Sequence, residues 1–404
     1  MARYALTGAR AVLPGEVRED LAVVVSGDRI EAVLPAAELV GVRRVDAGGA
    51  YLTPGLIDLH THGAGGRGFD EGDAVAWTSV LAAQARFGVT AVQASLATAP
   101  PADLADRLAL ARTITEPDIA NDPADGPPRE GARLLGVHLE GPFLAPEQAG
   151  AHDPALLVPP SAEAVGALLA AGTPSMVTLA PELPGGIEAV RRFAAAGSVV
   201  AIGHSQAAGD VFAAAVAAGV THLTHLWSGQ SALTRRGPWR VPGLLEESLA
   251  SDGLTAEVIA DGRHLPPQLL RIAARCLPGR LCVVSDATPG AGLPDGSPYR
   301  LGALDCVVRD GVGMAPGGAS FAGSTTGLGP MLGHLRRELG LGVPEVVAMA
   351  TATPARVLGL RDQGALRAGC LADLALFDDD FGVRATVVGG RWLLDEDGLR
   401  EGAA

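Results

Sequence analysis

Short apolar runs alternate with longer Ala/Leu-rich segments through the middle of the chain. The apolar runs have the length and composition of buried strands, and the segments between them are typical of helices. The predicted strands are Leu56–His60, Val89–Ser95, Leu134–Glu140, Met176–Leu179, Val199–Ile202, Thr221–Thr224, Ala256–Ile259 and Leu281–Ser285. The predicted helices include Ala74–Phe87, Ala102–Arg112, Ile187–Ala196, Val211–Ala217 and Leu269–Cys276. This alternation favours an α/β fold, a parallel (β/α)8 TIM-like barrel, with a doubly wound sheet as the alternative.

Both ends of the chain carry short β-like runs separated by Gly and Asp. We therefore predict a small β-sandwich formed by residues 1–53 and 360–404, beside a catalytic barrel of residues 54–359. Two stretches interrupt the barrel pattern. Thr115–Gly131 is rich in Pro, Asp and Gly and is predicted to be a surface loop, and Ala287–Ser320 is predicted to be a hairpin inserted after a barrel strand.

Composition excludes several classes of protein. The 404 residues are 48% hydrophobic and carry a net charge of −14, which argues against a disordered chain and against a non-specific nucleic-acid binder. No apolar run reaches the roughly 18 residues of a membrane span, and the N-terminus is not typical of a signal peptide. The four cysteines form no C-x-x-C pair, so we expect a reduced, cytoplasmic protein.

The basic residues narrow the chemistry further. All 31 of them are arginine, because the sequence contains no lysine. A Schiff-base lysine, a P-loop lysine and a carbamylated lysine bridging two metals are therefore excluded.

The first candidate site is the H-x-H motif of His60 and His62, at the end of a predicted strand. Residues i and i+2 of a strand face the same way, so both imidazoles can bind one divalent metal at the mouth of a barrel. The turn at Pro54-Gly55 starts this strand. Two structural histidines remain the alternative.

A second candidate is Glu140, which ends the next but one strand. A buried carboxylate is costly unless it is paired or binds metal, so Glu140 is a candidate bridging ligand, with a salt bridge to arginine as the alternative. His138 shares its strand face and is either a partner of a ligand or a satisfied core histidine.

Three further residues end later strands. His204 and His225 form a second candidate pair of metal ligands, with two unrelated histidines as the alternative, whereas His222 is predicted to be structural. Asp286 can ligate metal and accept a proton from water, or it can simply cap a turn. His334 lies in a helical run and is predicted to have no functional role.

Taken together, these motifs resemble the amidohydrolase superfamily, and within it the deacetylases of N-acetylated amino sugar phosphates. The segments that carry the resemblance are PGLIDLHTHG (54–63), HLEGPFLAPEQAGAHDP (138–154), GHSQA (203–207), GVTHLTHL (219–226), ADGRHLPP (260–267), VVSDATPGAG (283–292), AGSTTGL (322–328) and GALRAGCLADLALFD (364–378). The resemblance implies a cytoplasmic homodimer that hydrolyses a small-molecule amino sugar phosphate with one or two divalent metal ions, either Zn, Fe, Mn or Co. No nucleic-acid or membrane partner is expected.

The resemblance also implies roles for individual residues. Glu140, His204 and His225 match the main metal site, and His60 with His62 matches the second. Asp286 matches the catalytic aspartate, His152 the histidine near the substrate amide, and His264 a histidine that contacts the sugar or its phosphate. The implied substrate-binding residues are completed by Ser228, Gly229 and Arg240.

The sequence departs from the family pattern where the substrate is expected to bind. The segment 226–230 is Leu-Trp-Ser-Gly-Gln instead of Leu-Phe-Asn-Ala-Met. Arg235 and Arg236 compete with Arg240 for the phosphate. Two alternatives therefore stay open: a deacylase of a different N-acyl amino sugar, modified or unphosphorylated, and a sugar-binding barrel without activity. The intact set of five ligands with Asp286 argues against the second.

Overall fold

The computed structural model describes residues 3–120, 130–318 and 320–399. The strands are β1 (Arg3–Thr7), β2 (Arg10–Leu13), β3 (Glu16–Arg18), β4 (Leu21–Ser26), β5 (Arg29–Pro35), β6 (Arg43–Asp46), β7 (Tyr51–Pro54), β8 (Leu56–Thr61), β9 (Gly63–Ala64), β10 (Arg67–Gly68), β11 (Val89–Leu96), β12 (Arg133–Glu140), β13 (Met176–Leu179), β14 (Val199–Ile202), β15 (Val220–Leu223), β16 (Thr234–Arg236), β17 (Trp239–Val241), β18 (Thr255–Ile259), β19 (Leu281–Val284), β20 (Pro298–Leu301), β21 (Leu304–Arg309), β22 (Val312–Met314), β23 (Phe321–Ser324), β24 (Leu374–Phe377), β25 (Val383–Val388) and β26 (Arg391–Asp395). The α-helices are α1 (Ala74–Gln84), α2 (Pro101–Ala120), α3 (Ala162–Ala171), α4 (Gly186–Ala195), α5 (Asp210–Ala218), α6 (Leu244–Ala250), α7 (Pro267–Cys276), α8 (Leu328–Leu339), α9 (Val343–Met349) and α10 (Ala352–Val357).

The centre of the fold is an eight-stranded parallel sheet with the order β8-β11-β12-β13-β14-β15-β18-β19. Each of its strands matches a predicted one. The sheet closes on itself beyond its first and last strands, because the Asp286 N–H donates to the His60 carbonyl (2.9 Å) and the His62 N–H donates to the Ala287 carbonyl (2.7 Å). The predicted (β/α)8 barrel is thus confirmed over the doubly wound sheet, and closure brings the ends of all its strands around one mouth.

Helix α2 corrects one prediction. It extends to Ala120, so the first part of the predicted loop Thr115–Gly131 is helical. Before Thr115, Leu104, Leu108 and Ala111 bury one face of the helix at helical spacing. The densest Pro, Asp and Gly content comes later, at 121–129, and this part of the predicted loop lies outside the described residues.

The inserted segment after β19 is larger than the predicted hairpin. Strands β20, β21, β22 and β23 form an antiparallel meander with its own small apolar core. Gly302 and Gly311 have positive φ angles (54° and 69°) and make two of its turns. The sequence pattern missed the second hairpin because β22 has only three residues, too few to establish an alternation.

Strands from both ends of the chain pair with each other. Strand β7 lies between β2 and β24 in a six-stranded sheet, and β1 lies in a four-stranded sheet with β4, β5 and β6. An apolar cluster that includes Leu6, Val23, Leu52, Leu374 and Val387 packs between the strands. The assignment of 1–53 and 360–404 to a separate domain stays a prediction. Among the helices of the described ranges, each is too short or too polar to cross a bilayer.

Candidate metal centre

Glu140 lies at the centre of the barrel mouth, where the five residues predicted to bind metal converge. Its Oε1 is 3.1 Å from His204 Nε2 and 2.9 Å from His225 Nε2. Its Oε2 is 3.3 Å from His60 Nε2 and 3.1 Å from His62 Nε2. All five side chains are buried, so the carboxylate of Glu140 connects two pairs of imidazoles in a site with little access to water. We call these five residues together with Asp286 the metal centre.

Backbone carbonyls determine which nitrogen of three rings faces the site. The Nδ1 atoms lie at hydrogen-bonding distance from carbonyl oxygens, His62 from Ser95 (3.1 Å), His204 from Gln148 (2.7 Å) and His225 from Ser228 (3.1 Å). A carbonyl can only accept, so each Nδ1 carries a proton. In the neutral ring, Nε2 then presents a lone pair toward Glu140. Lone pairs and a carboxylate that converge in this way match the requirements of a cation.

His60 provides a separate indication that the site suits a cation. Its Nδ1 is 3.0 Å from Glu257 Oε2, while its Nε2 is buried and has no hydrogen-bond partner. An unsatisfied buried polar atom costs about 1–3 kcal/mol. This Nε2 faces Glu140 and lies 3.7 Å from Asp286 Oδ1, so a metal ion between them would satisfy it.

The donor atoms are close enough to share metal ions. Donor atoms within three groups of side chains lie within 4.8 Å of one another, namely His60, His62 and Asp286; His60, Glu140 and His225; and Glu140, His152 and His204. These groups offer imidazole nitrogen and carboxylate oxygen. Such ligands suit Zn, Fe, Mn and Co and do not distinguish among them.

The charges of the site shift the pKa values of two rings in opposite directions. Burial disfavours a protonated His62, but hydrogen bonds to Asp286 and Glu140 outweigh it and raise its pKa to about 9. Burial lowers the pKa of His204 to about 4, although its hydrogen bond to Glu140 acts in the opposite direction. Glu140 and Asp286 therefore favour positive charge beside His62 Nε2.

His152 differs from the other imidazoles because a donor, not an acceptor, faces its Nδ1. The Thr98 N–H donates to His152 Nδ1 at 3.3 Å, so the proton of the neutral ring is on Nε2. That Nε2 is 3.5 Å from Glu140 Oε2 and faces the cavity. His152 therefore offers a hydrogen-bond donor where the metal-centre rings offer lone pairs.

Asp286 enters the site on a strained segment of backbone. It follows β19 with a φ of 45°, and His204 has a similar φ of 48°. Left-handed conformations are uncommon for residues other than glycine and cluster at functional sites. The Asp286 carbonyl accepts from the Ser324 N–H (2.8 Å), which holds this conformation, and Oδ1 lies 3.4 Å from His62 Nε2.

A cavity above the metal centre contains most of the predicted substrate-binding residues. Ser228, Gly229 and His264 line it, together with Leu301 and Phe321 from the meander. His264 Nδ1 is 2.7 Å from Asp261 Oδ2, and the His264 ring lies 4.8 Å from the Phe321 ring. None of the described residues that line the cavity is an arginine.

Two histidines of the metal centre contact the 228–229 segment. The Ser228 N–H donates to the His225 carbonyl at 3.1 Å, so this N–H is engaged within the loop. Gly229 has a φ of 61°, and a Cβ at this position would lie 2.6 Å from His204 Nδ1. A glycine is therefore required where the family pattern has alanine.

Arg240 does not line the cavity of its own chain. It lies on β17, which pairs with β16, and we call Thr234–Val241 the outer hairpin. Its Nη1 donates to the Pro238 carbonyl at 2.9 Å, and Arg235 and Arg236 are also exposed. The hairpin thus presents three arginines and the exposed Trp239 to solvent.

The remaining buried histidines lie below the site. His138 is a satisfied core histidine, with Nδ1 3.0 Å from Ser95 Oγ and Nε2 2.7 Å from Thr178 Oγ1. His222 Nε2 contacts Glu257 Oε1 at 3.1 Å. The sequence analysis missed Glu257. Its signal was a carboxylate in the middle of the otherwise apolar predicted strand Ala256–Ile259.

Known proteins share this fold and this sequence pattern. The profile of the amidohydrolase family matches residues 51–393. The chain therefore belongs to the amidohydrolase family.

Two relatives of the chain illustrate the sequence similarity. The N-acetylglucosamine-6-phosphate deacetylase of Vibrio furnissii is 33% identical over 96% of this chain and 94% of that protein. The human N-acetylglucosamine-6-phosphate deacetylase is also 33% identical, over 98% of this chain and 96% of that protein.

Solved structures of deacetylases with the same name are also similar to this chain. A mutant N-acetyl-D-glucosamine-6-phosphate deacetylase from Mycobacterium smegmatis, in complex with N-acetyl-D-glucosamine-6-phosphate, superimposes with a TM-score of 0.88 at 32% identity. The match covers 98% of this chain and all of that one. The deacetylase of Thermotoga maritima matches with a TM-score of 0.83 at 26% identity, over 97% and 99% of the two chains.

Proposed function

We propose that this protein is a metal-dependent hydrolase that removes the acetyl group from N-acetylglucosamine 6-phosphate, giving glucosamine 6-phosphate and acetate. The observation that carries the proposal is the convergence of four imidazoles on Glu140 at the barrel mouth, with Asp286 beside them. The full-length similarity to deacetylases of this substrate supports the choice of substrate.

We assign the metal ligands to two neighbouring groups. Glu140, His204 and His225 form the main site, and His60 with His62 forms the second site, with Glu140 between them. When bound, divalent cations lower the pKa of water toward about 7 and polarise a carbonyl oxygen. The residues of the chain then orient the amide and move the proton.

Asp286 is the proposed general base and acid. Its carboxylate lies at the edge of the metal centre and lines the cavity, so it can take a proton from the water that attacks the acetamide carbon. Asp286 then returns this proton to the nitrogen as the C–N bond breaks, because an amine leaves far more readily than its anion. The products are the amine and acetic acid, which releases its proton to give acetate.

His152 is proposed to stabilise the charge that develops on the carbonyl oxygen. Its Nε2–H points into the cavity because Nδ1 is occupied by the Thr98 N–H. A fixed donor of this kind stabilises a developing oxyanion more than it stabilises the neutral carbonyl.

The sugar and its phosphate are proposed to occupy the outer part of the cavity, near His264, Ser228 and Gly229. Arg240 lies outside the cavity of its own chain, and we propose that it neutralises the phosphate from another subunit. We therefore propose a homodimer, in the cytoplasm, in which the outer hairpin reaches the site of the partner subunit.

A deacetylation assay tests the proposed function. Purified metal-loaded protein is given N-acetylglucosamine 6-phosphate and, in parallel, unphosphorylated N-acetylglucosamine, and released acetate is measured. We expect a clearly higher kcat/KM for the phosphorylated sugar. A preference for the plain sugar would overturn the substrate assignment, and activity on neither with metal bound would overturn the reaction.

A further inference from the structure

Glu257 lies beneath the metal centre and is not one of its proposed ligands. It belongs to the barrel strand β18, and its side chain is completely buried. A buried carboxylate without strong partners is expensive. The contacts of the Glu257 carboxylate therefore indicate its role.

One oxygen of the Glu257 carboxylate contacts two residues of the metal centre, and the other contacts the structural His222. Oε2 accepts from His60 Nδ1 (3.0 Å) and from the His225 N–H (3.2 Å). Oε1 lies 3.1 Å from His222 Nε2, and His222 Nδ1 is 2.6 Å from Thr255 Oγ1. One carboxylate thus holds the ring of one proposed ligand and the backbone of a second.

The contact with His60 determines the orientation of this ring. Because the carboxylate accepts from Nδ1, the proton of the neutral imidazole is on Nδ1 and the Nε2 lone pair faces Glu140. This Nε2 is the buried nitrogen without a hydrogen-bond partner. His60 differs in this way from His62, His204 and His225, whose Nδ1 atoms face neutral carbonyls.

We propose that Glu257 is a positioning residue that orients His60 for metal binding and increases the basicity of its Nε2. The inference rests on the proposed function, because it takes His60 as a metal ligand. Carboxylates behind metal-bound imidazoles typically change metal affinity by about 10- to 100-fold.

Glu257→Gln removes the negative charge of the side chain but keeps its size and shape. The amide oxygen can still accept from His60 Nδ1 and the His225 N–H, and the amide N–H can donate to His222 Nε2. The variant therefore keeps its hydrogen bonds and is expected to fold. Asp373→Asn is a matched control, because Asp373 is also a buried carboxylate but accepts from Arg133 Nε (2.9 Å) and the Gly389 N–H (2.7 Å).

The experiment is a titration of metal-stripped protein with Co²⁺, followed by its visible absorption, with thermal unfolding measured in parallel. We expect Glu257→Gln to weaken one binding step by about 10- to 100-fold and to shift the Co²⁺ absorption, while Asp373→Asn changes neither. His60→Gln removes the imidazole but leaves an amide donor for Glu257. In the His60→Gln background, we expect Glu257→Gln to cause no further loss of affinity.

The outcomes separate this inference from the proposed function. Wild-type protein that binds no Co²⁺ would overturn the metal centre and the inference with it. Unchanged affinity and absorption in Glu257→Gln, with wild-type protein binding normally, would overturn the inference alone. An equal loss of affinity with and without His60 would also overturn it, because Glu257 would then act through another part of the fold.

Discussion

The metal centre and the outer hairpin lie at the same end of one barrel but differ in almost every physical property. The metal-centre side chains are buried, and their ring nitrogens are held by carbonyls and by Glu257. Residues of the outer hairpin are exposed, and Arg240 bonds only its own turn among the hydrogen bonds of its side chain that the structure describes.

This difference separates the residues that react from those that recognise the substrate. A reacting centre must be preorganised, so its side chains are fixed by neighbours on several barrel strands. Recognition of a charged group at the rim tolerates more variation. The 226–230 segment, in which Ser228 and Gly229 line the cavity, differs from the family pattern, whereas the metal centre matches it.

Replacing the residue at the centre should have the largest effect. Glu140→Gln removes the negative charge that contacts both pairs of imidazoles, so we expect metal content and deacetylase activity to fall to background. Metal analysis and the acetate assay measure this. Glu147→Gln, at an exposed position of the same segment, should change neither, and full metal content in Glu140→Gln would contradict the central role of Glu140.

The next largest effect should come from Asp286. Asp286→Asn cannot accept a proton, so we expect turnover to fall by about 10²- to 10⁴-fold while the ion at Glu140, His204 and His225 is retained. Single-turnover kinetics and metal analysis check both parts. Near-normal turnover in this variant would refute the proton-transfer role.

A smaller loss of activity is expected from a substitution in the loop that contacts His204. Gly229→Ala adds a Cβ that would lie 2.6 Å from His204 Nδ1, so we expect kcat/KM to fall by about 10- to 100-fold through displacement of the ring. Gly237→Ala on the outer hairpin is the control, because Gly237 has a similar φ (59°) but open space around it. If both variants lose the same activity, backbone strain and not the contact with His204 is responsible.

The outer hairpin should produce the smallest effect and only with a phosphorylated substrate. Arg240→Ala removes a charged hydrogen-bond donor, so we expect KM for the sugar phosphate to rise by about tenfold with kcat unchanged. Plain N-acetylglucosamine should be unaffected. Arg235→Ala is compared in parallel, and a larger effect of Arg235→Ala would transfer the phosphate contact to that residue. A monomer in sedimentation analysis would exclude a contact from a partner subunit.

Much of the fold and of the site could be predicted because it depends on patterns among residues that are neighbours in sequence. Alternation along each strand identifies the barrel, and a polar residue at the end of an apolar run, such as Glu140 or Asp286, marks its mouth. The third and fourth strands of the meander could not be predicted, because their pattern is too short. The start of the predicted loop at Thr115 was placed too early, because helix α2 continues to Ala120.

The sequence alone thus determined the number of barrel strands and which imidazoles and carboxylates stand at their ends. Only the tertiary structure decided which ring nitrogen faces the cavity, that Glu257 supports His60 from 197 positions away, and that Arg240 lies outside the cavity of its own chain. The physical reason is that strand pattern depends on neighbours in sequence, whereas a proton on an imidazole depends on whichever donor or acceptor the closed barrel brings against it.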